Sequence, residues 1–194
     1  MHGIIVVDKE YGVTSRDVVN EIEHIFKTKK VGHTGTLDPI ATGVLIITIG
    51  KYTKLNELLT STYKEYVATM KLGIATDTFD TEGKVLTENK VNLSKEEIIN
   101  TVNSFKGEYD QEVPIYSSVK VNGKKLYEYA RDNIKIELPK RKVDIKEIEV
   151  LSIDDEKVIF KTLVSKGTYI RSLINDIGFK LQCGAIMTDL RRTK

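Results

Sequence analysis

Apolar and polar positions along the chain follow two periods, and the change from one to the other marks its elements. The β-branched run Ile4-Ile5-Val6-Val7 predicts a short first strand, and Gly12 turns the chain toward a helix. Val18, Val19, Ile22, Ile25 and Phe26 share one face of that helix, with Ser15 as the candidate cap and Lys27 to Lys30 at the end where cations oppose the helix dipole. Between Val31 and Gly43 neither period holds, because Gly32, Gly35, Pro39 and Gly43 interrupt regular structure, so a loop is expected. Residues 44–49 read as a buried strand, Leu55, Leu58 and Leu59 as a short helix, and Tyr66 to Leu72 as an alternating strand.

In the second half, Asp77 to Gly83 is turn chemistry ahead of a strand at Lys84-Val85-Leu86, and Ser94 with Glu97 forms a capping box for a helix through Ile98, Ile99, Val102 and Phe105. Val113 to Val121 reads as extended, Asn122-Gly123 as a type I′ hairpin, and Leu126 to Arg131 as a helical turn or two. Two strands, 143–152 and 157–164, flank Asp154-Asp155; a helix follows from about Thr168 to Leu181, and a last strand from Ala185 to Leu190. Strands predominate, hairpins are frequent and helices arrive singly. The expected class is α+β, a mixed, mostly antiparallel central sheet flanked by helices, without the strict alternation of a doubly wound fold. No internal repeat or low-complexity linker is visible, so one domain over 1–194 is expected.

With 194 residues, 40% of them hydrophobic, there is apolar material for one core. No run approaches the roughly 18 apolar residues of a membrane span. The N-terminus meets Asp8 after four strongly apolar residues and lacks a small-residue cleavage site, so a cytoplasmic protein is expected. The single cysteine, Cys183, excludes an internal disulfide, and His2, His24 and His33 lack zinc-ligand spacing, so no metal is expected. A net charge of +2 predicts no strong polyanion binding, but its distribution changes that picture. Residues 119–146 carry nine basic against four acidic side chains and 161–194 seven against two, while 74–112 and 147–160 are acidic. If folding brings the basic stretches together they form a positive groove; otherwise they are solvated lysine faces.

Three segments concentrate chemistry. The first is the loop from Gly32 to Gly43, with three glycines, His33, three threonines and Asp38. Asp38 precedes Pro39, which favours extended geometry and an outward carboxylate, although an Asp in such a place also caps turns. No Gly-Lys-Ser or Gly-Lys-Thr follows, which makes a phosphate-binding loop a poor alternative. In the second, Val164 to Leu173, Thr168 is expected to begin a helix, with Tyr169 and Arg171 in its first two turns. Arg171 would either hold a catalytic carboxylate ionised or form a surface ion pair, for instance with Asp176. The third is Lys64-Glu65-Tyr66, whose tyrosine can stack on a base or fill the core.

Together, Gly32 to Leu45, Lys64 to Gly73 with Thr76-Asp77-Thr78 and Asp80, Val113 to Ser117 with Lys120, Gly123 and Tyr127 to Arg131, and Ser165 to Leu173 closely resemble the TruB family of tRNA pseudouridine synthases. The match runs from Gly3 to Leu190-Arg191-Arg192-Thr193, and its Gly-His-Thr-Gly-Thr and Ile-Ala-Thr-Gly resemble the bacterial tRNA enzymes more than the guide-RNA-dependent relatives. The resemblance implies isomerisation of uridine in the tRNA T loop, at the position numbered fifty-five, without cofactor or metal. It implies Asp38 as nucleophile, attacking either the base or ribose C1′. It implies His33 bracing the vacated stack, Tyr66 facing the flipped uracil, Tyr169 lining the pocket, Arg171 paired with Asp38, Leu190 closing an apolar wall and Lys9 shaping the same site. The tRNA T arm is the implied partner, met by a basic insertion around 113–142, and the protein is expected to be a monomer. Two features depart from the family pattern: the chain stops at Lys194, so no C-terminal RNA-binding domain is expected, and the usual Pro-Pro of the central motif is Val113-Pro114. The alternatives are a non-catalytic tRNA-binding or RNA-folding module, a guide-RNA-dependent subunit, and a hydrolase pairing Asp38 with His33. The last lacks a second placed carboxylate.

Overall fold

The computed structural model describes residues 1–60 and 63–194. In chain order its elements are β1 (Gly3–Lys9), α1 (Ser15–Ile25), β2 (Val31–His33), β3 (Ala41–Ile49), a 3₁₀ turn (Gly50–Leu55), α2 (Asn56–Thr60), β4 (Lys64–Leu72), β5 (Ile74–Thr76), β6 (Val85–Glu88), α3 (Lys95–Asn103), β7 (Gly107–Glu112), β8 (Lys120–Val121), β9 (Lys124–Lys125), α4 (Leu126–Arg131), β10 (Lys140–Asp154), β11 (Lys157–Val164), α5 (Ile170–Lys180) and β12 (Ala185–Arg192). They divide into two compact units, residues 1–67 with 189–194 and residues 68–188, so that β4 and β12 each contribute to both.

In the first unit β1 pairs antiparallel with β3, and the end of β12 pairs parallel with β3 through Leu190↔Ala41 and Arg192↔Gly43. Alternation along β3 turns Leu45, Ile47 and Ile49 toward α1, where Val18 and Val19 meet them with Ile5, Val7, Ile22 and Phe26 packed around. Burying each such side chain contributes about 1.5–3 kcal/mol. Gly43 has a φ of +101°, and a Cβ there would stand 2.1 Å from the Arg192 carbonyl oxygen, so only glycine lets β12 lie against this part of β3.

The second unit holds the sheet order β12-β4-β11-β10-β7, with β10 antiparallel to both β11 and β7. Helices α3 and α5 pack against β10 and β7 respectively. Ile98 and Val102 of α3 and Leu173, Ile174 and Ile177 of α5 are buried there with Val143, Ile145 and Phe160. The class is therefore α+β with a mixed sheet and flanking helices, as the pattern predicts. The Ser94–Glu97 capping box forms, and Asn122 and Gly123 take the positive φ values of a type I′ turn, +51° and +82°.

Several local expectations are corrected. Thr14, not Ser15, caps α1, because Thr14 and Asp17 form the reciprocal box and the Ser15 hydroxyl is engaged elsewhere. The 31–43 stretch is not all loop: Val31–His33 pairs with β3, which itself starts at Ala41, since backbone pairing does not need an apolar period. Strand β7 has no counterpart in the predicted elements, because its inward positions include Tyr109 and Gln111 and the sequence Gly-Glu-Tyr-Asp-Gln-Glu shows no hydrophobic alternation. Between Val113 and Val121 only Lys120–Val121 is strand. Tyr169 is the N-cap of α5, in extended conformation, and not a first-turn residue.

Candidate active site

The loop carrying Asp38 is held at successive backbone groups. The Ser15 hydroxyl donates to the Leu37 carbonyl at 3.1 Å and accepts from the Leu37 N–H at 2.9 Å, both buried. One residue on, the Ala41 N–H returns to the Asp38 carbonyl at 3.0 Å, closing a turn whose second residue is Pro39, the position where a fixed φ is favourable. Leu37 and Ile40 are buried on either side while Asp38 remains partly exposed, so the carboxylate is presented by a loop whose apolar neighbours anchor it.

Lys9, at the end of β1, is 1% exposed. Its Nζ donates to the carbonyls of Glu10 at 2.8 Å, Val13 at 2.5 Å and Pro39 at 3.3 Å, while the Gly12 N–H also reaches the Pro39 carbonyl at 2.8 Å. Burial pushes the ammonium pKa below the ordinary lysine value, and the nearby Asp38 carboxylate pulls it back upward. Lys9 thus ties the end of β1 to the Asp38 turn and places a positive charge near that carboxylate.

Tyr66 is buried, and burial raises its phenol pKa; Arg192 opposes the rise and Asp38 adds to it, which puts all three groups in one neighbourhood. His33 is partly buried at the end of β2, with its pKa lowered first by burial and then by Arg192, so the neutral imidazole is favoured. Its Nδ1 is buried without a hydrogen-bond partner among the described residues. Leu190 is buried on β12 opposite Ala41, in the same strand register that brings Arg192 opposite Gly43. In this first unit the fold therefore gathers Lys9, His33, Asp38, Tyr66 and Leu190, which are far apart in sequence.

Tyr169 and Arg171 belong to the second unit. Gln111 of β7, 1% exposed, grips the Tyr169 backbone on both sides: its Oε1 accepts from the Tyr169 N–H at 2.8 Å, and its Nε2 donates to the Tyr169 carbonyl at 3.1 Å. The same Nε2 donates to the Tyr109 hydroxyl at 2.6 Å, and that hydroxyl donates to Asp176 at 3.3 Å. Arg171 is 6% exposed, so it is an interior residue and not part of a solvated surface face. Its Nη1 lies 3.9 Å from the buried Asp80 carboxylate, and its Nη2 donates to the Tyr116 carbonyl at 2.7 Å. Asp80 is oriented in turn by the Thr78 hydroxyl at 2.5 Å and the Glu82 N–H at 3.0 Å.

The two basic stretches meet within the second unit, where Arg141 of β10 lies over Gly167; a Cβ on Gly167 would stand 2.6 Å from the Arg141 Nη1. Around α4, Lys124 stacks over Tyr129, and Lys125 and Arg131 over Tyr127. Among the described residues, no three His, Cys, Asp or Glu side chains are grouped as metal ligands, and no helix is long and apolar enough to cross a membrane.

Signals for Gln111 and Ser15 are absent from the sequence, since both act on the backbone of distant residues. Arg192 falls within the terminal family motif, which names it without assigning it a part.

The mixed sheet with flanking helices is that of a pseudouridine synthase fold. Residues 23–170 match the TruB family pseudouridylate synthase (N terminal domain). The chain is 49% identical over 192 residues to tRNA pseudouridine synthase B of Clostridium kluyveri, covering 99% of this chain and 66% of that protein. It is 53% identical over 194 residues to the protein of the same name from Clostridium novyi, covering 100% and 67%. Among solved structures, a chain of a Cbf5-Nop10-Gar1 complex superposes with a TM-score of 0.77 at 36% identity, over 99% of this chain and 48% of that one. The chain belongs to the TruB family, and it spans about two thirds of the length of the curated relatives it matches.

Proposed function

We propose that this protein isomerises uridine to pseudouridine in the T loop of tRNA, at position fifty-five, with Asp38 as nucleophile. The observation that carries this is the Asp38 loop itself: a partly exposed carboxylate on a turn clamped by Ser15 and Lys9, beside the buried Tyr66 hydroxyl. A fixed carboxylate pre-aligned on the substrate removes much of the entropic part of the barrier. The uracil leaves and returns within one pocket, and exclusion of water keeps the intermediate from hydrolysis. The target base must first be everted from the T loop, at a cost of a few kcal/mol.

His33 braces the stack the uridine vacates, Tyr66 faces the everted uracil, and Leu190 supplies an apolar wall. The parts of Tyr169 as a lining residue and of Arg171 as the partner that keeps Asp38 ionised rest on the family motif. The basic segment around 113–142 meets the T arm through phosphates and shape, which makes binding salt-sensitive. The protein works as a cytoplasmic monomer.

Identity to relatives named tRNA pseudouridine synthase B is near 50%, against 36% to the Cbf5 chain, which favours a free-standing tRNA enzyme over a guide-RNA-dependent subunit. The test is to incubate the purified protein with a bare T-arm stem-loop and map pseudouridine. Wild type converts the target uridine, while Asp38→Ala and Asp38→Asn bind the RNA and convert none. Binding without turnover by wild type would instead establish an RNA-binding module, a requirement for added protein and RNA would establish a guided subunit, and release of free uracil would establish a hydrolase.

A further inference from the structure

The turn that leads into α5 is held to the sheet at alternate residues. Ser165 comes first: its N–H donates to the Asp144 carbonyl at 2.9 Å, and its hydroxyl accepts from the Asp144 N–H at 2.9 Å. Gly167 lies under the Arg141 side chain, so close that a Cβ would stand 2.6 Å from Nη1. Tyr169 is third, and Gln111 holds it by both backbone groups, Oε1 accepting from the N–H at 2.8 Å and Nε2 donating to the carbonyl at 3.1 Å. Arg141 and Gln111 face one another in the β10–β7 register, so one rung of the sheet supplies both of the last two holds. The second hydrogen of the Gln111 Nε2 goes to the Tyr109 hydroxyl at 2.6 Å, and the side chain is 1% exposed. Three hydrogen bonds leave this buried amide a single orientation. Tyr169, by contrast, is half-buried and extended, at φ −97° and ψ 113°, and its own side chain makes no capping bond to α5. Fixing the N–H and the carbonyl of one residue fixes its Cα–Cβ direction, from which the phenol ring projects.

We propose that Gln111 is a positioning residue for the isomerisation: through the Tyr169 backbone it holds the Tyr169 ring ready for the everted uracil. The inference rests on the uridine isomerisation above and on Tyr169 lining the uracil pocket. A ring already in place when the base arrives needs no ordering during the reaction, whereas a displacement of about 1 Å can cost about 100-fold in rate. Gln111 is suited to this part because it stands on a strand, which is stiffer than the turn it holds. It touches no reacting atom and acts only through Tyr169.

The experiment measures single-turnover conversion at saturating T-arm stem-loop, together with RNA affinity, each protein being assayed below its melting midpoint. Wild type is compared with Gln111→Met, Gln111→Glu, Tyr169→Ala and the protein carrying both Gln111→Met and Tyr169→Ala. Gln111→Met fills the same space without the hydrogen bonds and should convert uridine about 10- to 100-fold more slowly, with affinity within about twofold of wild type. Gln111→Glu keeps an acceptor for the Tyr169 N–H and should fall between them. Added to Tyr169→Ala, which is already slow, Gln111→Met should change the rate by less than about twofold, because no ring remains to be placed. If the two losses multiply instead, the inference is overturned, since Gln111 then acts on something other than Tyr169. Conversion by Tyr169→Ala at the wild-type rate overturns it as well. Amide hydrogen exchange on the wild type tests the hold without any variant having to fold. The Tyr169 N–H should exchange as slowly as the Leu173 N–H within α5, and exchange as fast as that of the exposed Gly167 overturns the inference. Failure of the wild type on uridine removes the isomerase assignment itself, a result distinct from all of these.

Discussion

Ser15 and Leu37 hold one another through a single hydroxyl, which donates to the Leu37 carbonyl at 3.1 Å and accepts from its N–H at 2.9 Å. A side chain at the start of α1 thereby does for the Asp38 loop what a neighbouring strand does for a sheet edge: it satisfies both backbone groups of one residue. Replacing Ser15 by Ala leaves the two groups buried and unpaired, at a cost of about 1–3 kcal/mol. Chemical denaturation should record that loss. Turnover of T-arm RNA should fall further than RNA binding, since the nucleophile is disordered and the basic surface is untouched.

Gln111 acts in the same way on Tyr169. Substitution by Leu, of similar volume, leaves the Tyr169 N–H unpaired and should destabilise the protein by about 1–3 kcal/mol, while the Tyr169 carbonyl keeps the Leu173 N–H and the Tyr109 hydroxyl keeps Asp176. If Tyr169 lines the uracil pocket, single-turnover conversion also slows at saturating RNA. A Gln111→Leu protein that unfolds at the wild-type urea midpoint would show that the bidentate grip adds nothing.

Asp176 gives stability a pH dependence. Burial raises its pKa from 3.8 to about 6, against the opposing hydrogen bond from Tyr109. The folded protein therefore binds the proton more tightly than the unfolded chain, so stability falls as pH rises from about 4 to about 6 and stays lowered above that. Asp176→Asn, which cannot ionise, should flatten this part of the profile and be more stable than wild type at pH 7 to 8. Urea midpoints measured across the range check the sign.

Gly43 cannot be replaced without moving β12. Gly43→Ala puts a Cβ 2.1 Å from the Arg192 carbonyl at a residue whose φ is +101°. A loss of about 3 kcal/mol or more is expected, visible as a lowered melting temperature and reduced soluble yield. Gly123→Ala, at a hairpin φ of +82° with nothing within 4 Å, should cost less.

How much of this was legible beforehand depends on what kind of contact carried it. The amphipathic face of α1, the Ser94–Glu97 box and the Asn122-Gly123 turn are local: the residues that make them lie within a few positions, and their period or chemistry shows in the string. Family motifs likewise name Lys9, His33, Asp38, Tyr66 and Leu190, which the first unit brings together. Strand β7 escaped because its buried positions are filled by Tyr109 and Gln111, and polar residues that find partners after folding look like surface beforehand. The capping of α1 was misassigned by one residue because Thr14 and Ser15 are equivalent as caps until the Ser15 hydroxyl meets Leu37.

The amino-acid order alone thus determined the α+β class, most of the elements and the identity of the acidic loop, since these follow from periodicity, turn chemistry and short motifs. Only the tertiary structure decided what holds that loop and what faces it. Ser15 reaches Leu37 across 22 residues, Lys9 reaches Pro39 across 30, Gln111 reaches Tyr169 across 58 and Arg192 reaches Val44 across 148. Each of these contacts ends on a backbone N–H or carbonyl, and the carbonyl is offered by every residue, Pro39 included. No residue type marks the receiving end, and the pairing exists only once the chain has folded.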